Sequence, residues 1–228
     1  MKIAEIYKSV QGEGRLTGVP SVFVRTSGCN LRCWFCDTPY ASWRPEGRDY
    51  AVDEILAEVE EWDCRHVVLT GGEPLLYSEM LPLCQGLRQR GRHITIETAG
   101  TLNLPVVCDL MSISPKLAGS APSAAQHPRW NRRHQRERRR PDVIRALTAG
   151  YDYQLKFVVD VPEDVLEVSQ WLATFPRIDA RRVMLMPQGR TAEEVAARSA
   201  WLAPLCEQRG WTFCPRKQLE WFGAVRRT

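Results

Sequence analysis

Six short apolar segments, rich in β-branched residues, recur along the chain and alternate with segments of helical periodicity. The predicted strands are 22–25, 66–70, 93–97, 110–113, 154–159 and 182–186. The predicted helices are 52–62, 78–90, 161–174 and 191–209. Asp53 and Ser78 are the predicted N-caps, and Gly91 and Gly210 the predicted stops. Strands that alternate with helices predict an α/β fold with a parallel sheet and right-handed crossovers.

The length and composition of the chain favour a single domain over residues 1–228. With 228 residues and 44% hydrophobic content, the chain can bury one substantial core. No segment approaches roughly 18 consecutive apolar residues, and the first residues contain no apolar signal core. We therefore expect a cytoplasmic protein without a membrane-spanning helix.

Three cysteines lie close together after the first predicted strand. Cys29, Cys33 and Cys36 have Cys-x3-Cys-x2-Cys spacing, and no fourth ligand of comparable quality lies nearby in sequence. A structural zinc site normally has four Cys or His ligands, whereas an iron–sulfur cluster held by three thiolates leaves one iron open to an external molecule. Two alternatives are a zinc site completed by a distant histidine and disulfides, which the low cysteine density disfavours.

Polar and glycine-rich motifs follow the ends of several predicted strands. Thr70-Gly-Gly-Glu-Pro74 follows the second strand and Glu97-Thr-Ala-Gly100 the third, while Ser114-Pro-Lys116 follows the fourth and Pro187-Gln-Gly189 the sixth. In β/α barrels the active site is built at the carboxyl ends of the strands. The sequence therefore predicts a functional site at that edge, next to the cysteine loop.

The cysteine spacing, together with Gly-Gly-Glu-Pro at 71–74, resembles the radical S-adenosylmethionine (SAM) superfamily. The resemblance implies a partial (β/α)6 barrel, because six units are too few for a closed eight-stranded barrel. It also implies a [4Fe-4S] cluster on Cys29, Cys33 and Cys36. In that superfamily SAM binds the open iron, and an injected electron cleaves its C–S bond to give a 5′-deoxyadenosyl radical.

Further motifs resemble one family within that superfamily, the 7-carboxy-7-deazaguanine synthases of the queuosine and 7-deazapurine pathway. These motifs are Ser9-Val-Gln-Gly-Glu-Gly14, Phe23-Val-Arg25, Cys36-Asp-Thr38 and Cys214-Pro-Arg216. The family converts 6-carboxy-5,6,7,8-tetrahydropterin to 7-carboxy-7-deazaguanine with loss of ammonia, using SAM and Mg²⁺. The resemblance also implies a homodimer.

The family resemblance implies roles for individual residues, none of them a protein acid or base. The implied substrate contacts are Val10, Gln11, Gly12, Glu13, Arg25 and Thr70. The implied SAM contacts are Phe35, Cys36, Asp37, Gly72, Glu97, Ser114, Pro115 and Lys116. Thr38 is the implied Mg²⁺ ligand, with substrate oxygens and water completing the shell. Glu97 has the alternative of a structural pairing with Lys116 or Lys156.

Two of the implied substrate contacts have a clear chemical reason. Arg25 can hold the substrate carboxylate with two parallel N–H donors, and Glu13 can accept from the guanine-like N–H edge of a pterin. The tail departs from the family pattern, which often has a histidine shortly after Cys-Pro-Arg, whereas Lys217 and Gln218 stand here. No substrate contact is therefore predicted for the tail.

An Arg-rich insertion around 118–140 is not explained by these motifs. Residues 129–140 contain seven arginines and one glutamate, so this segment carries +6 in a chain whose net charge is +4. It is predicted to follow a loop at 118–126 and to begin a helix that continues through Val143, Ile144 and Leu147. A solvated helix or a flexible insertion is the simplest interpretation. Other interpretations are a cap on the active site, a dimer contact, or a surface that recruits an acidic electron donor such as flavodoxin.

Two other functions compete with this interpretation. A radical SAM activase would have the same cysteine spacing but not the Gln-Gly-Glu-Gly motif at 11–14. A zinc-binding module could use the arginines on nucleic-acid phosphates, but it leaves Gly-Gly-Glu-Pro and Ser-Pro-Lys unexplained. We therefore expect a pterin as the substrate and no nucleic acid as a partner.

Overall fold

The computed structural model describes residues 1–228 and contains one nine-stranded sheet. The strands are β1 (Lys2–Val10), β2 (Pro20–Thr26), β3 (Arg48–Asp49), β4 (His66–Gly71), β5 (His93–Thr98), β6 (Leu110–Ile113), β7 (Tyr153–Val159), β8 (Val183–Pro187) and β9 (Thr212–Phe213). Their order is β3-β1-β2-β4-β5-β6-β7-β8-β9. Strand β1 is antiparallel to both of its neighbours, and all other pairs are parallel.

The six predicted strands correspond to β2 and β4 to β8, which are consecutive in the sheet. The predicted α/β fold and its parallel sheet are therefore confirmed. Since β3 and β9 lie at opposite edges and do not pair, the sheet stays open, as in a partial barrel. Strands β1, β3 and β9 were not predicted. In β1 the buried positions Ile3, Glu5 and Tyr7 include a carboxylate, which weakens the apolar alternation that identifies a strand.

Seven helices accompany the sheet. They are α1 (Val52–Glu60), α2 (Met80–Gln89), α3 (Pro128–Glu137), α4 (Pro141–Gly150), α5 (Pro162–Ala173), α6 (Ala192–Arg209) and α7 (Lys217–Phe222). The four predicted helices correspond to α1, α2, α5 and α6. None of the seven is long and apolar enough to cross a membrane.

The predicted helix stops are correct and the predicted N-caps are wrong. Gly91 and Gly210 have φ of +68° and +66°, the left-handed conformation that ends helices. Asp53 lies within the first turn of α1, where the Glu54 carboxylate instead accepts from the Ala51 N–H at 2.7 Å. Ser78 precedes the N-cap of α2 by one residue.

The predicted continuous helix across the Arg-rich insertion is also wrong. The structure has two helices there, α3 and α4, separated by residues 138–140. Pro141 explains the break, because proline has no N–H for a preceding helix and favours the first position of a new one. Val143, Ile144 and Leu147 are buried in α4, whereas α3 carries most of the arginines.

The hydrophobic core lies between the helices and one face of the sheet. Strand β7 shows how the two faces differ. Its residues Tyr153, Leu155 and Phe157 belong to the core, whereas the alternating Gln154 and Lys156 are buried on the opposite face. Polar residues buried on that face need partners. Gln154 donates to Ser112 and accepts from the Arg15 N–H, whereas Lys156 lies in a cavity at the carboxyl ends of the strands.

Candidate active site

A cavity of about 280 Å³ opens at the carboxyl ends of the parallel strands. It brings together all the residues that the sequence assigned to the site except Pro115. The lining includes Val10, Gln11, Gly12, Glu13, Arg25, Cys29, Cys33, Phe35, Cys36, Asp37, Thr38, Thr70, Gly72, Glu97, Ser114 and Lys116. Motifs that are far apart in sequence therefore meet in one place.

The cysteine loop leaves β2 and forms one wall of this cavity. The Ser42 hydroxyl lies 3.1 Å from Cys36 Sγ, and Trp43 Nε1 donates to the Cys33 carbonyl at 2.9 Å. Burial raises the pKa of Cys29 and of Cys33 to about 12. Both thiols are therefore protonated at neutral pH unless a metal replaces the proton. Three half-buried thiols that line one cavity fit a cluster with an open iron.

The structure does not support the zinc alternative. No histidine lines the cavity. His66 and His93 stack on each other at 4.4 Å, His127 packs against Trp43, and His134 accepts from a backbone N–H.

The Gly-Gly-Glu motif ties β4 to the cysteine loop. Gly72 N donates to the Thr26 carbonyl at 3.1 Å, and Glu73 N donates to the Gly28 carbonyl at 2.8 Å. A Cβ on Gly72 would collide with the Gly28 carbonyl, and Gly71 has φ of +139°. Both positions therefore require glycine. The Glu73 side chain is fully buried and accepts from Thr98 Oγ1 at 2.9 Å, so the motif also holds the end of β5.

A cluster of five charged side chains lines the cavity. Lys156 Nζ donates to Glu13 at 2.7 Å and to Glu97 at 3.2 Å. Arg216 donates to Glu13 at 3.2 Å and to Asp37 at 2.6 Å. Burial alone would raise the pKa of Glu13, but the Lys156 and Arg216 charges lower it to about 2. Glu13 is therefore an ionised carboxylate paired with Lys156 and Arg216. It is not a solvent-exposed turn residue.

The sequence left Lys116 and Lys156 open as structural partners of Glu97, and the structure shows a contact with Lys156. Its second oxygen accepts from Thr70 Oγ1 at 2.9 Å. Lys116 is not its partner, because Lys116 Nζ donates to the carbonyl and hydroxyl of Ser114 at 2.8 and 2.7 Å. Glu97 nevertheless lines the cavity.

Arg25 reaches the cavity from β2 with part of its donor set free. Its Nε donates to Glu5 at 2.8 Å and its Nη2 to the Tyr7 hydroxyl at 3.0 Å, while Nη1 has no protein partner. Glu5 is fully buried and also accepts from Tyr40 at 2.8 Å and Arg226 at 2.8 Å. Burial works against the charge on Arg25, but the surrounding tyrosines and Glu5 raise its pKa.

The tail packs on the Gln-Gly-Glu-Gly loop, which the sequence did not predict. Lys217 N donates to the Gly12 carbonyl at 3.0 Å, and Gln218 Nε2 donates to Glu13 at 2.7 Å. A Cβ on Gly12 would collide with Gln218. The structure therefore gives Gly12 a packing reason to be glycine. The sequence singled out the Cys-Pro-Arg motif of the tail, but it did not show that the tail would contact the Gln-Gly-Glu-Gly loop.

Other lining residues had no predicted role in the site. Tyr7, Ser112 and Gln218 were missed, whereas Gln188 and Arg216 stood in quoted motifs without an assigned role and Lys156 was offered only as a partner of Glu97. Of the predicted residues, Gln11 is already engaged, since its amide donates to Ser21 Oγ at 2.9 Å. Thr38 lines the cavity, with its hydroxyl 3.8 Å from Cys36 Sγ.

Comparison with known proteins agrees with this fold and site. The model of the radical SAM superfamily matches residues 23–160, which contain the cysteine loop and strands β2 to β7. An open, mostly parallel sheet with three cysteines at its carboxyl edge defines this chain as a radical SAM enzyme.

Relatives of nearly full length give the particular family. The chain is 47% identical over 227 residues to the 7-carboxy-7-deazaguanine synthase of Rhodopirellula baltica, covering 99% of this chain and 88% of the relative. It is 46% identical over 226 residues to that of Halobacterium salinarum, covering 95% and 88%. The chain belongs to the 7-carboxy-7-deazaguanine synthase family. The crystal structure of QueE from Escherichia coli has the same fold, with a TM-score of 0.73 at 24% identity, covering 95% of this chain and 93% of that one.

Proposed function

We propose that this chain converts 6-carboxy-5,6,7,8-tetrahydropterin to 7-carboxy-7-deazaguanine with loss of ammonia, in the queuosine (7-deazapurine) pathway. The observation that carries the proposal is the 47% identity over 99% of the chain to a relative of that name. The cavity supports it, because it combines three thiols with the polar groups that a carboxylated pterin requires.

The substrate is recognised at its two polar ends. The Nη1 donors of Arg25 are free to bind the carboxylate. The lowered pKa keeps Glu13 ionised, and its carboxylate can accept hydrogen bonds from pterin N–H groups. Thr70 and Gln11 lie beside them, and the backbone at Val10 and Gly12 completes this side of the cavity.

The opposite side of the cavity is assigned to the cluster and SAM. Cys29, Cys33 and Cys36 would hold a [4Fe-4S] cluster, which would supply the electron for cleavage of SAM. The residues that would position SAM are Phe35, Cys36, Asp37, Gly72, Glu97, Ser114, Pro115 and Lys116. These residues would orient SAM. Two of them are themselves held in place, since Arg216 donates to Asp37 at 2.6 Å and Lys156 donates to Glu97.

A Mg²⁺ ion is assigned to Thr38. A single hydroxyl is a weak site for Mg²⁺, so most of the octahedral shell must come from substrate oxygens and water. Asp37 cannot add much to that shell while its carboxylate is paired with Arg216. The ion should therefore bind together with substrate.

The proposal is tested with reconstituted enzyme, SAM, a reductant and the carboxytetrahydropterin under anaerobic conditions. We expect 7-carboxy-7-deazaguanine and ammonia in equal amounts, detected by mass spectrometry and an ammonia assay. Reductive cleavage of SAM without any deazaguanine would show that the radical chemistry is present but the substrate is wrong. Zinc in place of iron in the purified protein would contradict the whole assignment.

The remaining assignments concern partners and compartment. A flavodoxin-like protein is the assigned electron donor, and a homodimer is the assigned assembly. Residues 1–228 act as one domain. Eight free cysteines, three of them needed as thiolates, favour a reducing compartment, the cytoplasm. Light scattering of the purified enzyme tests the assembly, since a monomer mass would contradict it.

A further inference from the structure

Helix α3 of the Arg-rich insertion is attached directly to the cysteine loop. His134 is fully buried, and its Nδ1 accepts from the backbone N–H of Arg32 at 3.1 Å. Its Nε2 lies 2.8 Å from Ser120 Oγ. Burial lowers the pKa of His134 to about 4, so the ring is neutral and able to accept. The helix is therefore fixed on the loop that carries the cluster ligands, and is not a free insertion.

Side chains in contact lead from the surface of α3 to the first cysteine. The Arg133 guanidinium lies 5.2 Å from the centre of the Trp130 ring, and the Arg32 guanidinium lies 4.0 Å from the same centre. Arg32 Nη1 donates to the Cys29 carbonyl at 2.7 Å. An electron carrier bound on α3 would thus be linked to Cys29 through the side chains of Arg133, Trp130 and Arg32.

The outer side of α3 carries arginines without carboxylate partners. Arg129, Arg132, Arg133 and Arg136 are exposed and have the i, i+3, i+4, i+7 spacing of one helix face. Only Arg136 is in an ion pair, with its neighbour Glu137, and the other three pair with no carboxylate. A helix face that only contacts solvent usually mixes basic and acidic residues, and this face contains no acidic residue. We name these four residues the arginine face.

The proposed function needs one electron from outside the chain to reduce the cluster before SAM is cleaved. Loss of ammonia from the carboxytetrahydropterin is itself redox-neutral, so the substrate does not supply this electron. The five cysteines outside the cluster loop are free and have no metal-ligand spacing in the sequence, so they give the chain no second electron-transfer centre. The donor must therefore bind near the cluster loop, losing one electron as the oxidised cluster gains it.

We propose that the arginine face is the docking surface for an acidic protein that carries single electrons. The proposal rests on the proposed function, since it concerns delivery of the electron which that chemistry requires. An acidic partner is attracted to an unpaired basic face, which raises the association rate and makes it fall with salt. The attachment of α3 to the loop through His134 and Arg32 then places the partner beside the cluster.

The test compares two triple charge reversals of equal net charge. The first is Arg129→Glu, Arg132→Glu, Arg133→Glu on the arginine face. The control is Arg65→Glu, Arg177→Glu, Arg209→Glu, three exposed arginines without ion pairs elsewhere in the chain. Turnover is measured with reduced flavodoxin as the donor at several salt concentrations, and separately with dithionite.

We expect the first variant to lose about tenfold or more in the initial rate of product formation started by limiting reduced flavodoxin, with a weaker salt dependence than wild type. The control and wild type should remain within about twofold of each other, and all three proteins should turn over equally with dithionite. Equal flavodoxin turnover in both variants would overturn the docking proposal, as would salt-sensitive binding of duplex DNA or tRNA that only the first variant loses. If wild type forms no product with either reductant, the proposed function itself fails.

Discussion

Arg25 offers the sharpest test of substrate recognition, because the structure shows which of its donors are occupied. Glu5 and Tyr7 take one N–H each, so three of the five guanidinium N–H groups remain, two of them on Nη1. A carboxylate bound by a fork of two such donors is recognised by geometry as well as by charge. Lysine at this position would keep the charge but would be drawn to the buried Glu5.

The size of the effect follows from the number of hydrogen bonds lost. A hydrogen bond to a charged group contributes about 1.5–3 kcal/mol, which corresponds to roughly ten- to a hundredfold in kcat/KM. Arg25→Lys should therefore lose about tenfold. Removing Arg25 alone would take one arginine partner from the fully buried Glu5 carboxylate, which would keep Arg226 and Tyr40, so the guanidinium is best removed as Arg25→Met with Glu5→Gln. We expect this double variant to lose about a hundredfold.

The assay measures kcat/KM for the substrate and for an analogue without the carboxylate. Wild type should prefer the substrate strongly, and the double variant should show little preference. Tyr7→Phe is the matched control, because it removes an acceptor of the same guanidinium but leaves the Nη1 donors in place. Iron content should be equal in all variants. If the double variant kept the wild-type preference, Arg25 would be a structural partner of Glu5 and not the carboxylate anchor.

Three further predictions concern the metals and the charged cluster. Cys33→Ala should abolish SAM cleavage and lower the iron content, whereas Cys84→Ala, buried away from the cavity, should change neither; iron loss in the second variant alone would contradict the site. Thr38→Ala should reduce turnover and its Mg²⁺ response but not reductive SAM cleavage, and wild-type turnover that ignores chelator would contradict this role. Because the folded-state pKa of Glu13 is lowered from 4.5 to about 2, its stabilisation should be complete above about pH 4.5 and lost as the pH falls towards 2. Acid unfolding followed by circular dichroism should therefore be less pH-dependent over that range in Glu13→Gln, and an unchanged profile would mean that the ion pairs contribute nothing.

The sequence predicted the centre of the sheet better than its edges. The β-branched runs of β4 and β5 are buried on both faces, so their composition alone identifies them. Strand β1 alternates with polar residues and places Glu5 inside, and β9 has only two residues, so neither has a distinctive pattern. Helix starts were misplaced because several polar residues lie near each one, and tertiary contacts decide which of them serves as the cap.

Sequence reasoning located the site but not its internal connections. Motifs at the ends of parallel strands must lie at one edge of the sheet, so the cysteine loop and Gly-Gly-Glu-Pro were predicted to lie together. The sequence offered Lys156 as one of two structural partners of Glu97, but nothing local showed that it would also bind Glu13. The Lys156–Glu13 contact joins residues 143 positions apart, which only the folded chain brings together.

The contact between Glu13 and the tail also determines when the site can form during synthesis. Glu13 emerges from the ribosome early, but Arg216 and Gln218 follow 203 and 205 residues later. At about 5–20 residues per second, the cysteine loop is exposed for ten seconds or more before the tail arrives. Strands β1 to β8 can pair in that interval, yet the cavity wall at Gly12 stays open. The growing chain thus has a period in which its three cysteines are already positioned while the path to them from solvent is at its widest.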